Sequence, residues 1–339
     1  VRYENIHFDF QNYGTADNAR LGTVLKSAEN QLTVILPGIG LHYWLNEKMK
    51  VAGFTIARNL VQADYPLKEA LLSVLPLCDD MVIAVGNSVD GTKAYIEAMQ
   101  EPKIRLFDTV WDDNKREGGA VLADETNKAL DQVPIDADWL VYIQADECLH
   151  ERYLPVVKAA MEKYLNDAEV DALLFDYLHF YGNYSMVGDS RRWYRQEIRI
   201  IKNNRNIRSW KDAQGFRTHD GKKLKVAKID ACIYHYGWVK HPKYQQQKQA
   251  QFHRLWHNDD YMEKKVLLSD EFDYGGIDSL KHFEGSHPQV MQSRIAAMDW
   301  QFDIDPTQKN FGLKAGLLHW IEKLSGWRVG EYKNFIRIR

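Results

Sequence analysis

Between residues 49 and 145, short apolar runs alternate with amphipathic stretches of helical spacing. The apolar runs predict strands at residues 51–56, 81–85, 104–107 and 139–143, and the amphipathic stretches predict helices at residues 66–75, 91–99 and 119–130. Short buried strands that alternate with helices are typical of a mostly parallel sheet covered on both faces. Since crossovers between parallel strands are right-handed, we expect an open, Rossmann-like α/β sheet.

The pattern differs on both sides of this region. The first 48 residues are polar and rich in turn residues, and we interpret them as an extension or small subdomain, with the first strands of the main fold as the alternative. After residue 150, helices are predicted at 153–165, 243–256 and 313–324, strands at 170–177, 197–202 and 229–236, and an aromatic loop at 179–189. The predicted domains are therefore the extension at 1–48, a catalytic α/β domain at 49–240, and a mostly helical region at 241–339 for acceptor binding or oligomerisation.

Charge and composition exclude several classes of protein. The 44 Lys and Arg residues nearly balance the 47 Asp and Glu residues, which argues against a nucleic-acid partner. Three scattered cysteines do not form a disulfide framework and favour a reducing compartment. No apolar run reaches the roughly 18 residues that a membrane-spanning helix needs, and the N-terminus shows no export signal. We expect a cytoplasmic protein, for which peripheral membrane contact and a homo-oligomer both stay open.

Polar residues directly follow three of the predicted strands, at Ala57-Arg58-Asn59, at residues 86–92 and at residues 144–147. Ligands of an open parallel sheet bind outside the carboxyl ends of its strands, so these residues are the first candidates for a site. A Walker-type phosphate loop and a G-x-G-x-x-G fingerprint are both missing from the sequence. The chain is therefore not expected to be a kinase, an ATPase or a nicotinamide dehydrogenase.

Each of the two later loops allows a functional and a structural interpretation. The Asp90-Gly91 loop can present backbone N–H groups to an anion, or it can simply reverse the chain. Adjacent carboxylates at Asp146 and Glu147 are expected at the sheet edge, because burying them is costly. They can bind a hard divalent cation, or they can supply the acidic start of the next helix. The residues alone leave both pairs of alternatives open.

The order of these motifs resembles the family 2 glycosyltransferases of the GT-A fold over about residues 50–240. The resemblance rests on Asn87-Ser88-Val89-Asp90-Gly91-Thr92, on the helix from Gly118-Gly119 to Asn127, and on the strand that ends in Gln144-Ala145-Asp146-Glu147. It implies a nucleotide-diphosphate sugar donor and a divalent metal, Mn²⁺ or Mg²⁺, bound by a D-x-D-like motif. Donor contacts are then expected from Ala57, Arg58, Asn59, Asn87, Asp90, Gly118, Gln144, Ala145 and Asp146.

The sequence departs from the family pattern at two places. The D-x-D motif is Gln144-Ala145-Asp146, so only Asp146 can coordinate a metal as an anion. Val85-Gly86 replaces the acids that usually read the nucleotide base, which puts uridine specificity in doubt. His235, in a segment that resembles the His-Tyr-Gly of some members, is expected to return to the metal as a second ligand. A core histidine bonded to backbone is the alternative.

The resemblance also implies the reaction, an inverting transfer of a sugar to a hydroxyl of a carbohydrate or glycolipid acceptor in glycan, polysaccharide or lipopolysaccharide biosynthesis. Such a transfer needs a carboxylate to take the proton of the acceptor hydroxyl. Asp212 is the preferred base and Asp189 the second candidate. The alternatives are a sugar-phosphate nucleotidyltransferase, against which the glycine-poor loop after the first strand counts, and a non-catalytic relative that binds nucleotide sugars.

Overall fold

The computed structural model describes residues 3–4, 23–26, 31–35, 42–46, 48–115, 118–256, 261–266 and 269–339. The chain divides into two units, residues 1–49 and residues 50–339. The first unit contains a four-stranded antiparallel sheet in the order β1-β2-β3-β4, with strands β1 (Tyr3–Glu4), β2 (Thr23–Lys26), β3 (Gln31–Ile35) and β4 (His42–Asn46). The predicted domain boundaries themselves stay predictions.

The second unit combines strands and helices of the kinds that the sequence pattern predicts. Its strands are β5 (Val51–Ala57), β6 (Asp80–Val85), β7 (Ile104–Asp108), β8 (Trp139–Tyr142), β9 (Glu147–Leu149), β10 (Ala172–Tyr181), β11 (Met186–Gly188), β12 (Gln196–Lys202), β13 (Ile207–Trp210), β14 (Gly215–Thr218), β15 (Leu224–Trp238), β16 (Leu280–His282) and β17 (Phe335–Arg337). Its helices are α1 (Leu67–Val74), α2 (Thr92–Glu97), α3 (Ala120–Asp131), α4 (Leu154–Tyr164), α5 (Pro242–Arg254), α6 (Gln292–Ala296) and α7 (Leu313–Ser325). Within the described ranges, no helix has both the length and the hydropathy to cross a membrane.

The core of the large sheet is parallel and has the strand order β7-β6-β5-β8. The next two strands along the chain, β6 and β7, lie on one side of β5, whereas β8 lies on its other side. The connections therefore diverge between β5 and β8, and in an open α/β sheet such a divergence opens the crevice in which ligands bind. This arrangement confirms the predicted α/β sheet with flanking helices.

Antiparallel strands extend the parallel core beyond β8. β12 pairs with β8, and β10 pairs with β12. The long strand β15 runs parallel to β10 and also pairs with β9 and β17. Because β9 follows directly after β8, its pairing with β15 brings the carboxyl end of β8 next to residues 233–235 of β15.

Two sequence expectations are wrong in this extension. Part of the predicted loop at residues 179–189 is strand, because β10 continues to Tyr181 and β11 covers Met186–Gly188. Phe180 and Tyr181 are buried between neighbouring elements, so their aromatic side chains serve the core. Glu147 and Asp146 do not lie at an exposed sheet edge either: Glu147 is fully buried in β9, and Asp146, just before it, is buried too.

Glu147 is buried because it has a complete set of partners. Its carboxylate accepts two hydrogen bonds from Arg199, at 2.7 and 2.8 Å, and a third from the hydroxyl of Tyr177 at 2.9 Å. The backbone N–H of Gln144 donates a fourth at 3.1 Å. Arg199 also donates to the carbonyl of Gln214 at 2.8 Å. A buried ion pair is tolerated when hydrogen bonds satisfy its remaining groups, and this pair joins the loop after β8 to the loop after β13.

Candidate functional site

The loops after β5 and β6 are joined by polar side chains at the carboxyl edge of the sheet. Asn59 accepts a hydrogen bond from the N–H of Val89 at 2.9 Å. Asp90 accepts from the N–H of Gln62 at 2.9 Å and from the N–H of Thr92 at 3.0 Å. Burial opposes ionisation of Asp90, but these hydrogen bonds outweigh it and lower its pKa. Asp90 therefore holds the two loops together at the start of α2.

Beside these loops, an aromatic ring packs against Gly86. A Cβ atom at Gly86 would lie 2.5 Å from Nε1 of Trp111, so the ring packs directly against the glycine. Arg58 lies over the same ring, 5.3 Å from its centroid, and makes two hydrogen bonds to Asp113. The backbone N–H of Trp111 donates to Oδ1 of Asn87 at 3.4 Å. Sequence analysis missed Trp111 and Asp113.

Asp146 and His235 come together at the carboxyl end of β8. Oδ2 of Asp146 lies 3.7 Å from Nε2 of His235 and 2.8 Å from Nζ of Lys248. Burial would raise the pKa of Asp146, but Lys248 and His235 hold it well below its usual range. Gln144 lies on the other side of the loop, where its side-chain amide donates to the carbonyl of Ala213 at 3.3 Å.

Hydrogen bonding fixes the tautomer of His235. Nε2 of His179 lies 2.8 Å from the carbonyl of Tyr194, which can only accept, so this nitrogen carries a proton. Burial lowers the pKa of His179, which leaves its Nδ1 as an acceptor for the Nδ1–H of His235 at 3.2 Å. Burial lowers the pKa of His235 as well, and the carboxylate of Asp146 opposes this shift. Metal-binding histidines are oriented by hydrogen bonds of this kind.

The space beside Oδ2 of Asp146 and Nε2 of His235 is open because residue 237 is glycine. A Cβ atom there would lie 2.6 Å from Nε2 of His235 and 2.7 Å from Oδ2 of Asp146. No cluster of three or more His, Cys, Asp or Glu side chains occurs in the part of the chain that the structure describes. The pair therefore fits a divalent cation only as two protein ligands, with the remaining positions left to oxygens of a bound ligand and water.

The two candidate bases have different surroundings. Asp212 lies between Lys211 and Ala213, which both have left-handed φ angles, 53° and 59°. A Cβ atom at Gly119 would come within 3.1 Å of the Cβ of Asp212, so this residue packs against the start of α3. Strained backbone of this kind clusters at functional sites. Asp189 instead pairs with Lys323 of α7, at 3.0 Å.

The remaining predicted donor-binding residues lie around the same edge. Ala57 and Ala145 are buried, and Gly118 has a left-handed φ of 59° beside Gly119. The carbonyl of Ala57 accepts a hydrogen bond from the N–H of Gly86, which connects the loops after β5 and β6.

Sequence analysis also missed a pair of buried lysines. Lys248 of α5 and Lys240, just after β15, lie on the ring of Tyr65, with their Nζ atoms 5.0 and 4.3 Å from its centroid. Lys240 donates to the carbonyl of Asp64, and burial followed by the charge of Lys248 lowers its pKa. Nothing in the local sequence marked either lysine, because the partners are distant along the chain.

Comparisons with known proteins give only distant likenesses. No protein-family model matches the chain, and neither does any curated protein. The chain is similar in structure to TarS of S. aureus, at 14% identity over 66% of this chain and 41% of TarS, with a TM-score of 0.34.

Two further solved structures show a likeness of the same order. The mannosyltransferase PcManGT from Pyrobaculum calidifontis, in complex with GDP-Man and Mn²⁺, is 20% identical over 38% of this chain and 35% of its own, with a TM-score of 0.28. The 4-diphosphocytidyl-2C-methyl-D-erythritol synthase from Anaerococcus prevotii is 10% identical over 46% of this chain and 70% of its own, with a TM-score of 0.29. At these scores, neither family membership nor activity follows from the likeness.

Glu197 should make stability depend on pH. Burial raises its pKa from 4.5 to about 8, Arg199 offsets part of this, and Glu147 and Asp212 add to the rise. Between these two values the folded state keeps a proton that the unfolded state has released, so the free energy of unfolding falls as pH rises and levels off above pH 8. Glu197→Gln cannot titrate, so its stability relative to the wild type should increase across this window.

Urea unfolding of both proteins at several pH values measures this difference. Glu169→Gln, which alters an exposed carboxylate, is the control and should show no comparable trend. A pH-independent difference between Glu197→Gln and the wild type would contradict the assignment.

Proposed function

We propose that the chain is an inverting, metal-dependent glycosyltransferase that moves a sugar from a nucleotide-diphosphate sugar to a hydroxyl of a carbohydrate or glycolipid acceptor. The observation that carries the proposal is the approach of Oδ2 of Asp146 to Nε2 of His235, at 3.7 Å, beside Gly237. This pair lies at the carboxyl end of β8. The connections diverge between β8 and its neighbour β5, and an open α/β sheet binds its ligands at such a divergence. The proposal is also supported by the order of the sequence motifs, which resembles that of family 2 glycosyltransferases.

The donor would lie across the carboxyl ends of β5, β6 and β8. Arg58 and Asn87 border the end of the crevice where the nucleoside would bind, and the buried ring of Trp111 supports Arg58 from below. Asp146 and His235 would hold the metal, Mn²⁺ or Mg²⁺, which when bound neutralises charge on the leaving diphosphate. The nucleoside end and the metal end of the donor would then lie on either side of β5, and Asp90 joins the loops after β5 and β6 at the nucleoside end.

Asp212 would act as the general base. Its carboxylate takes the proton of the acceptor hydroxyl while the hydroxyl oxygen bonds to the anomeric carbon and the bond from that carbon to the diphosphate breaks. Burial raises the pKa of Asp212, and hydrogen bonds from the backbone of Asp212 and Gln214, together with Lys211 and Arg199, offset this only in part. A carboxylate with a raised pKa is a stronger base than an exposed one, which suits this role.

A panel of nucleotide sugars tests the donor half of the proposal. With Mn²⁺ present, one or more donors should release free nucleotide, and Asp146→Asn should abolish the release. Because Asp146 is buried against Lys248, the variant also needs a thermal-unfolding measurement to show that it is folded. A folded Asp146→Asn protein with unchanged turnover would refute the donor site, and so would a panel without any turnover.

Asp212→Asn tests the acceptor half. The amide keeps the shape but cannot accept the proton, so single-turnover transfer should fall by about two to four orders of magnitude while donor affinity changes little. Asp189→Asn is the matched control, since Asp189 pairs with Lys323 and should not be needed for transfer. If the Asp189 variant loses transfer while the Asp212 variant keeps it, Asp189 is the base.

A further inference from the structure

Lys248 lies at the position that a metal ion would share with Asp146. Its Nζ is 2.8 Å from Oδ2 of Asp146, the same oxygen that faces His235, and 2.7 Å from the carbonyl of Gly237. We propose that the Lys248 ammonium is an internal counter-ion that competes with the divalent cation for Asp146 and leaves this carboxylate when metal and donor diphosphate bind together. The proposal rests on the metal and donor sites of the proposed function.

The charges in the site explain the competition. Lys248 and Asp146 are both buried, and together they form a neutral pair that needs no metal for stability. A divalent cation at the same carboxylate oxygen would face the ammonium at short range in surroundings of low dielectric. The metal alone should therefore bind weakly while the ammonium stays in place.

A diphosphate removes this obstacle. It brings anionic oxygens that can bind both the metal and the displaced ammonium. Gln245 lies three residues before Lys248 on the same face of α5, and it is fully buried. Neither its amide nitrogen nor its amide oxygen has a hydrogen-bond partner among the described residues. Polar atoms of this kind are rare without a ligand or water, so this face of the helix has capacity for a polar ligand.

Metal and nucleotide should consequently bind with positive coupling, and by linkage each strengthens the other equally. Lys248 is then a positioning residue: it sets the order and the concentrations at which the site fills. Lys240 donates to the carbonyl of Asp64, whereas Lys248 is the lysine whose ammonium donates to Asp146.

Mn²⁺ titration of the whole chain, followed by the electron paramagnetic resonance signal of free Mn²⁺, tests the proposal without an activity measurement. Lys248→Met should bind Mn²⁺ about tenfold or more tightly than the wild type when no nucleotide is present. Adding UDP or GDP, in separate titrations, should tighten Mn²⁺ binding strongly in the wild type and much less in Lys248→Met. Lys243→Met removes the same charge from an exposed position of the same helix and should behave as the wild type.

Further variants keep the outcomes distinct. Lys248→Gln, which retains a donor for Asp146, replaces Lys248→Met if the latter does not fold. The double variant Lys248→Met/Asp146→Asn should lose the tight site. The proposal that Lys248 competes with the metal would be overturned by unchanged or weaker Mn²⁺ binding in the Lys248 variants. A tight Mn²⁺ site that survives in the double variant would overturn it as well. A failed nucleotide-sugar panel together with tighter Mn²⁺ binding would leave the counter-ion standing and reject the transferase.

Discussion

The buried ion pair between Glu147 and Arg199 is the constraint on which the site depends. Burying two charges costs free energy that hydrogen bonds must offset, and here β10, β12 and two loops supply partners to both groups. Asp146 immediately precedes Glu147, and Asp212 lies two residues before Gln214, which Arg199 binds. One interaction therefore sets the positions of Asp146 and Asp212 at once.

Around this pair, strained backbone and close packing shape the crevice. Asn59 and Asp64, in the loop after β5, and Lys211 and Ala213, beside Asp212, all adopt left-handed φ angles that non-glycine residues rarely take. Such strain persists only where the surrounding structure holds it in place, and these loops border the crevice. Glycine at position 237 adds the space between His235 and Asp146 that any side chain would fill.

Local pattern was enough to predict the parallel core, since β5, β6 and β7 are short apolar runs, each followed by a helix before the next strand of the core. The sequence also placed Asp146 and His235 in one site through the resemblance to a family. It could not show that Glu147 is buried, because the compensating charge is Arg199, 52 residues away. Lys248 is 102 residues from Asp146 in a glutamine-rich helix without any motif, so only the fold brings the two together. Trp111 was missed for the same reason, because only the fold packs its ring against Gly86, in a different loop.

The central claim, that the loops after β5, β6 and β8 form one donor site, is tested most directly by hydrogen–deuterium exchange. The measurement compares the chain alone with the chain in Mn²⁺ and a nucleoside diphosphate, UDP or GDP. Slower exchange is expected in residues 57–62, 86–92 and 144–147 together, with little change around the cavity lined by Gly275, Ile277 and Asn310. Protection confined to that cavity, or to any one of the three loops, would contradict the account.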